Sequence, residues 1–160
     1  MIATLGGVGN LRPAPGTWGS LAALPLAWAL HVLGGFPLFA IAIVVVFFAG
    51  WWASAEMTRG SDDHDPSRIV VDEVVGQWIA LAPLSVSAWQ MGLPITTFWP
   101  GWITAFLAFR LFDIGKWGPV GLFDRRRDAF GVMMDDVVAG ALAAMVVLVA
   151  AVLYHGVIAR

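Results

Sequence analysis

Residues 37–56 read Pro37-Leu38-Phe39-Ala40-Ile41-Ala42-Ile43-Val44-Val45-Val46-Phe47-Phe48-Ala49-Gly50-Trp51-Trp52-Ala53-Ser54-Ala55-Glu56, a run whose only charged side chain is its last. A helix that crosses the hydrocarbon of a bilayer needs about 20 mainly apolar residues, and this run has that length. No Asp, Glu, Lys or Arg occurs between Arg12 and Glu56, between Glu73 and Arg110, or between Asp136 and Arg160. The first gap breaks near Gly34-Gly35-Phe36-Pro37, and the second around Gly92-Leu93-Pro94 and Pro100-Gly101. Spans are therefore expected near 18–33, 37–56, 74–91, 96–112 and 136–155. The expected fold is one membrane-embedded domain over residues 1–160, an all-α polytopic bundle of four to five spans. The first span is short and contains Pro25, so a tilted or re-entrant path is its alternative.

Composition agrees with lipid as the solvent. Apolar residues make up 59% of the chain and charged residues 12%, against about 25% charged in soluble domains. A net charge of −2 with no long basic stripe points away from nucleic acid. Cysteine is absent, which excludes disulfides, thiolate metal sites and a cysteine nucleophile. The start, Met1-Ile2-Ala3-Thr4-Leu5-Gly6-Gly7, lacks the basic opening of a secretory signal peptide, so the first apolar run is expected to be retained. Eight of the nine Lys and Arg fall in the N-terminus, the 56–73 loop and the 110–136 loop. Positive residues mark the cytoplasmic side, which puts the N-terminus and every chemically interesting residue on that face. Trp18, Trp51, Trp52 and Trp117 at that face, and Trp89, Trp99 and Trp102 at the other, fall near span ends, where indoles prefer to lie.

Two stretches resemble each other: Val71-Asp72-Glu73-Val74-Val75-Gly76 and Met134-Asp135-Asp136-Val137-Val138-Ala139, the latter followed by Gly140. Each sets a carboxylate pair at the mouth of an apolar helix, with a small residue four positions after the first acid. A small residue there lets another helix approach closely. Adjacent helical residues diverge by about 100°, so one acid of each pair is expected to point away from a shared ligand. Two carboxylates 4 Å apart repel by about 4 kcal/mol at an effective dielectric of 20. Only oxygen ligands are on offer, so a hard cation such as Mg²⁺ is the fitting relief. Asp72, Glu73, Asp135 and Asp136 are the expected metal ligands. The alternative is that the acids merely cap helix N-termini.

Arg110, Asp113 and Lys116 recur every three residues in Phe109-Arg110-Leu111-Phe112-Asp113-Ile114-Gly115-Lys116 and can share one helix face. One acid between two cations suits phosphate beside a metal; the alternative is a salt-bridged helix end. The segment Gly6-Gly7-Val8-Gly9-Asn10-Leu11-Arg12-Pro13-Ala14-Pro15-Gly16-Thr17-Trp18-Gly19-Ser20 leads into the first helix. Its glycines and that helix start could face an anion, with Thr17 or Ser20 capping the helix or touching phosphate. Glu56 and Arg59 are expected to pair. Asp62, Asp63, His64 and Asp65 read as a solvated loop, with His64 a remote metal ligand. Arg125 to Arg127 read as contacts to anionic lipid headgroups, and His31 and His155 belong to the far face.

Taken in order, the Gly-rich start through Ser20, then Ile69 to Gly76, Phe109 to Lys116 and Gly131 to Gly140, resemble the phosphatidylglycerophosphatase A family over nearly the whole chain. The resemblance implies an all-helical, Mg²⁺-dependent enzyme of the bacterial inner membrane that hydrolyses phosphatidylglycerophosphate to phosphatidylglycerol and phosphate. Two places depart from the family pattern. Trp117-Gly118-Pro119 stands where a proline usually follows the lysine, and Arg127-Asp128-Ala129-Phe130 replaces a glycine-rich lead into the last motif.

With neither a Cys nor an Asp-x-Asp-x-Thr/Val nucleophile motif, and with scattered histidines, a metal-activated water is the simplest nucleophile, and a covalent aspartyl intermediate is the alternative. The expected roles are Asp72, Glu73, Asp135 and Asp136 around metal, Asp113 as further ligand or base, and Arg110, Lys116 and Thr17 on the phosphate. Acyl chains of the substrate and surrounding membrane lipids would contact the helices. The rival classes are a small ion or proton transporter using membrane-border carboxylates and a structural membrane subunit.

Overall fold

The structure is a computed structural model, and it describes residues 1–59, 69–126 and 128–154. All regular structure among them is helical. After a short 3-10 helix, Leu5–Asn10, come α1 (Pro15–Thr58), α2 (Val71–Met91), a 3-10 turn (Ile95–Phe98), α3 (Trp99–Gly115), α4 (Pro119–Asp124) and α5 (Ala129–Leu153).

Helix α1 has 44 residues; straight, it would run about 66 Å, twice the ~30 Å of bilayer hydrocarbon. It does not run straight. Gly34 (φ −153°, ψ 15°) and Gly35 (φ 64°, ψ −159°) leave helical geometry, and the second conformation is open almost solely to glycine. The chain reverses there. Gly19 in the first arm and Gly50 in the second both pack at the start of α2, on Val70 and Val71, whereas Gly35 packs on Trp89 at its end. The break expected at Gly34-Gly35 is thus the tip of a helical hairpin, and the first arm runs the whole length of α2 despite Pro25.

Interior contacts join these arms to α2. The Trp78 indole donates to the Ala23 carbonyl at 2.9 Å, and His31 Nδ1 lies 2.8 Å from Ser85 Oγ. Interhelical hydrogen bonds inside membrane bundles contribute about 0.6 kcal/mol each, so close packing carries most of the association. Phe39, Leu81, Ala105, Phe109, Ala139 and Ala143 form its centre.

The outside is as apolar as the inside. Ile103, Leu107, Leu111 and Ile114 form an exposed stripe on α3, and Met145, Leu148, Val149 and Val152 do so on α5. Helices α1 and α5 are long and apolar enough to cross a membrane, and only 11% and 28% of their most apolar stretches are buried. They face outward; they are not the covered core of a soluble domain. The membrane helices expected from sequence are present in this coarser form.

Of the two helix starts next to the acid pairs, one is as the sequence leads one to expect and one is not. Helix α2 begins at Val71, its first turn tied down by Val70 and Val71 amides donating to the Ala3 carbonyl at 2.8 and 3.2 Å. Helix α5 begins at Ala129, not near 136, because Asp128 caps it: its side chain accepts from the Gly131 amide at 2.7 Å. Asp135 and Asp136 therefore lie inside a helix, and the capping alternative does not hold for them.

Candidate active site at the charged end of the bundle

Gly76 of α2 faces Gly140 of α5 with nothing between the backbones, and a Cβ on Gly76 would lie 2.6 Å from the Asp136 carbonyl oxygen. The crossing sets the acids one turn earlier on each helix side by side. One carboxylate oxygen from each of Asp72, Glu73 and Asp136 lies within 4.8 Å of the other two. Asp72 and Asp136 are buried and Glu73 is half-buried.

Both members of the first pair reach this cluster, contrary to the expected divergence. Asp72 folds back over the helix start, its Oδ1 accepting from the Glu73 amide at 3.1 Å, while the longer Glu73 side chain reaches round. The second pair does diverge. Asp135 turns away from the trio and bonds the Lys116 ammonium.

The Arg110-Asp113-Lys116 face forms as its spacing predicts. Arg110 binds Asp113, and Lys116 Nζ lies 3.7 Å from Asp113 and 3.2 Å from Asp124. Asp113 also sits beside Asp136. Lys116 takes a left-handed backbone conformation (φ 48°) just past the end of α3. Burial alone would lower its pKa, but the charge and hydrogen bond of Asp135, with Asp136 and Asp113 behind it, outweigh that and hold the ammonium well above the ordinary lysine range.

The start of α1 closes the site. A Cβ on Gly16 would collide with Glu73 Oε1 and lie 3.3 Å from Arg110 Nη1, so any side chain there displaces the ends of these two groups. Ser20 Oγ donates to the Gly16 carbonyl at 2.9 Å and accepts from Arg110 at 3.3 Å. Thr17 stands half-buried in the same first turn, but Ser20 is the hydroxyl that meets Arg110.

Sequence reasoning passed over Asp124, which faces Lys116, Asp128, which starts α5, and Gln77, which is fully buried one turn past Glu73. The signal for Asp128 was an acid directly ahead of an apolar helix. Glu56 and Arg59 pair at 2.7 Å as expected. Asp62, Asp63, His64, Asp65, Arg127 and His155 lie outside the described residues. Grooves of about 430 and 590 Å³ sit at the opposite end, around Pro25, Trp28, His31, Trp89, Trp99 and Trp102. None of the site's acids lines them.

Three carboxylates with a guanidinium and an ammonium at their edge, on outward-apolar helices, offer the kind of charged groups that a phosphoryl-transfer enzyme can use. Comparison with known proteins makes that specific. A family model described as Phosphatidylglycerophosphatase A matches residues 1–151, and the chain belongs to that family. It is 40% identical over 143 residues to a phosphatidylglycerophosphatase A of Haemophilus influenzae, covering 88% of this chain and 81% of the relative. To that of Escherichia coli it is 34% identical over 132 residues, covering 81% and 70%. A putative phosphatidylinositol-3-phosphatase of Bacteroides thetaiotaomicron is 39% identical over 157 residues, covering 94% and 91%. No solved structure matches the chain.

Proposed function

We propose that this protein hydrolyses phosphatidylglycerophosphate to phosphatidylglycerol and inorganic phosphate, with Mg²⁺, at the cytoplasmic face of a bacterial inner membrane. The observation that carries the proposal is the meeting of Asp72, Glu73 and Asp136 within 4.8 Å, in a chain of this family, beside Arg110 and Lys116.

The donor set suits the ion. Among the described residues none of the three acids has a cationic group within 4.0 Å, since the nearby cations are held by Asp113, Asp124 and Asp135. Glu73 Oε2 is buried with no hydrogen-bond partner. Oxygen-only ligands with uncompensated charge suit Mg²⁺, which when bound would offset their repulsion and polarise a phosphoryl oxygen. Asp72, Glu73 and Asp136 would hold it, and Asp135 would act through Lys116.

The chain's own groups supply the rest. Arg110 offers a planar fork and Lys116 a point charge to the phosphoryl oxygens, each exchanging a carboxylate partner for phosphate. Asp113, between the two cations and beside Asp136, would take a proton from the water whose oxygen bonds to phosphorus, and would return it to the glycerol oxygen that leaves as the ester P–O bond breaks. The first turn of α1, with Thr17 and the Gly16 backbone, covers the phosphate, where a helix start favours negative charge.

The two arms of α1, then α2, α3 and α5, would make five crossings with the acids at the cytoplasmic border. That border is where the Lys and Arg gather. The lipid's acyl chains would remain among the outward-facing side chains while its headgroup enters the polar end. A transporter would instead need acids along the length of the bundle.

The test is phosphate release by detergent-purified protein from phosphatidylglycerophosphate, phosphatidic acid and a 3-phosphoinositide, with Mg²⁺ or with EDTA. Release from phosphatidylglycerophosphate that EDTA abolishes is expected. Absence of release from any of them would sink the proposal.

A further inference from the structure

Polar atoms without hydrogen-bond partners are rare in folded interiors, and each calls for a reason. Among the described residues the buried atoms of this kind are Ser54 Oγ, Glu73 Oε2, Arg110 Nε and both amide atoms of Gln77. Two of them, Glu73 and Arg110, meet at one junction, where both lie against Gly16. Gln77 lies one helical turn along α2 from Glu73, four residues on and on the same face. Gln77 is fully buried, yet neither its donor nor its acceptor is used. Its neighbours in sequence are committed elsewhere: Gly76 packs on Phe109 and the Asp136 carbonyl, and Trp78 on Ala23. No apolar packing need explains an amide at this point, where a leucine or methionine would fill similar volume.

We infer that Gln77 recognises a free hydroxyl on the carbon next to the phosphorylated carbon of the lipid headgroup. The inference rests on the lipid phosphatase reading above and deepens it by naming what the site reads besides phosphate. An amide presents one carbonyl acceptor and an NH₂ donor side by side, and a hydroxyl is both donor and acceptor. The two match as a pair. The order along α2 matches too. Phosphate belongs at the charged end, at the level of Glu73 and Arg110, and one helical turn advances about 5.4 Å along α2 into the interior of the bundle, where Gln77 is buried. A headgroup entering phosphate-first places its next carbons, and the hydroxyl of phosphatidylglycerophosphate, at that deeper level. A site built to hydrogen-bond a hydroxyl discriminates against the analogue lacking it, because its own buried groups are then left unpaired. The selected class is therefore phosphomonoester lipids with a vicinal hydroxyl, and phosphatidic acid, whose neighbouring oxygen is acylated, falls outside it.

The experiment compares kcat/KM for phosphatidylglycerophosphate and for its deoxy analogue, in which a propanediol replaces the headgroup glycerol, using wild type and Gln77→Leu. Wild type should prefer the hydroxyl-bearing lipid by about tenfold or more, and Gln77→Leu should bring the ratio near one. A wild-type ratio near one overturns the inference, and needs no variant. So does a preference that survives Gln77→Leu unchanged, which would assign the amide a purely structural partner such as a fixed water. Should Gln77→Leu fail to fold, Gln77→Met takes its place with the same expected collapse of the ratio. Phosphate release from neither lipid by wild type would instead overturn the phosphatase reading itself.

Discussion

Gly140 of α5 rests on the backbone of Gly76 of α2, so closely that a Cβ on Gly140 would lie 3.0 Å from the Gly76 Cα. Everything at the charged end depends on this crossing, because Asp72 and Glu73 precede Gly76 by about a turn and Asp136 precedes Gly140 by one. Gly140→Ala should force the helices apart. The expected cost is about 1–3 kcal/mol, read as a lower thermal midpoint in detergent, with phosphatase activity down at least tenfold. Leu148→Ala, on the outward side of the same helix, should do neither.

Asp135 and Asp136 adjoin in sequence but serve different partners, so their asparagine variants should separate. Asp136→Asn removes one of the trio and should raise the Mg²⁺ concentration needed for half-maximal rate. Asp135→Asn releases Lys116 and should act mainly on the KM for lipid. Magnesium titrations at fixed substrate, and the converse, distinguish the two; identical profiles would contradict the division.

Lys116 is shared among Asp113, Asp124 and Asp135. Lys116→Met leaves buried acids uncompensated, and breaking such a pair from one side costs about 3–5 kcal/mol. Asp124 is the most exposed of the three, and Asp124→Asn should lower kcat/KM only about two- to tenfold. The pKa of Lys116 is raised above its unfolded value. Its contribution to stability is therefore complete below the unfolded pKa of about 10.4 and lost only as pH climbs through the folded value. Between pH 7 and 10 the thermal midpoint should show no loss that Lys116→Met removes.

Gly16 touches Glu73 and Arg110 at once. Gly16→Ala should displace the Glu73 carboxylate and crowd the Arg110 guanidinium, lowering kcat more than the global stability. Phosphate-release kinetics beside a thermal melt would show whether the two effects part.

Much of this was legible in sequence because lipid imposes simple rules. Charge-free runs located the helices, Gly34-Gly35 marked the turn between the arms of α1, and the small residue after the first acid pair, Gly76, is where α5 comes close, although its partner there is Gly140 and not the Ala139 of the repeat. The sequence misled where a local detail outweighed a pattern. Asp128 starts α5 well before the apolar run was taken to begin, so Asp135 and Asp136 looked like helix-end acids. Helical divergence suggested that Asp72 and Glu73 would part, yet both bring a carboxylate oxygen to Asp136, Glu73 having one methylene more with which to reach it. Asp124 carried no periodic or motif signal, and the i+4 spacing of Gln77 from Glu73 gains meaning only from which helices pack beside them.

The central claim is that acids from α2 and α5 jointly hold one divalent cation. Binding of Mn²⁺, used as a paramagnetic stand-in for Mg²⁺, to detergent-purified protein measures this directly by loss of the free-ion resonance signal. Wild type should bind the ion, and Asp72→Asn in α2 and Asp136→Asn in α5 should each abolish or greatly weaken binding. Undiminished Mn²⁺ binding in either variant, or none in wild type, would contradict the account.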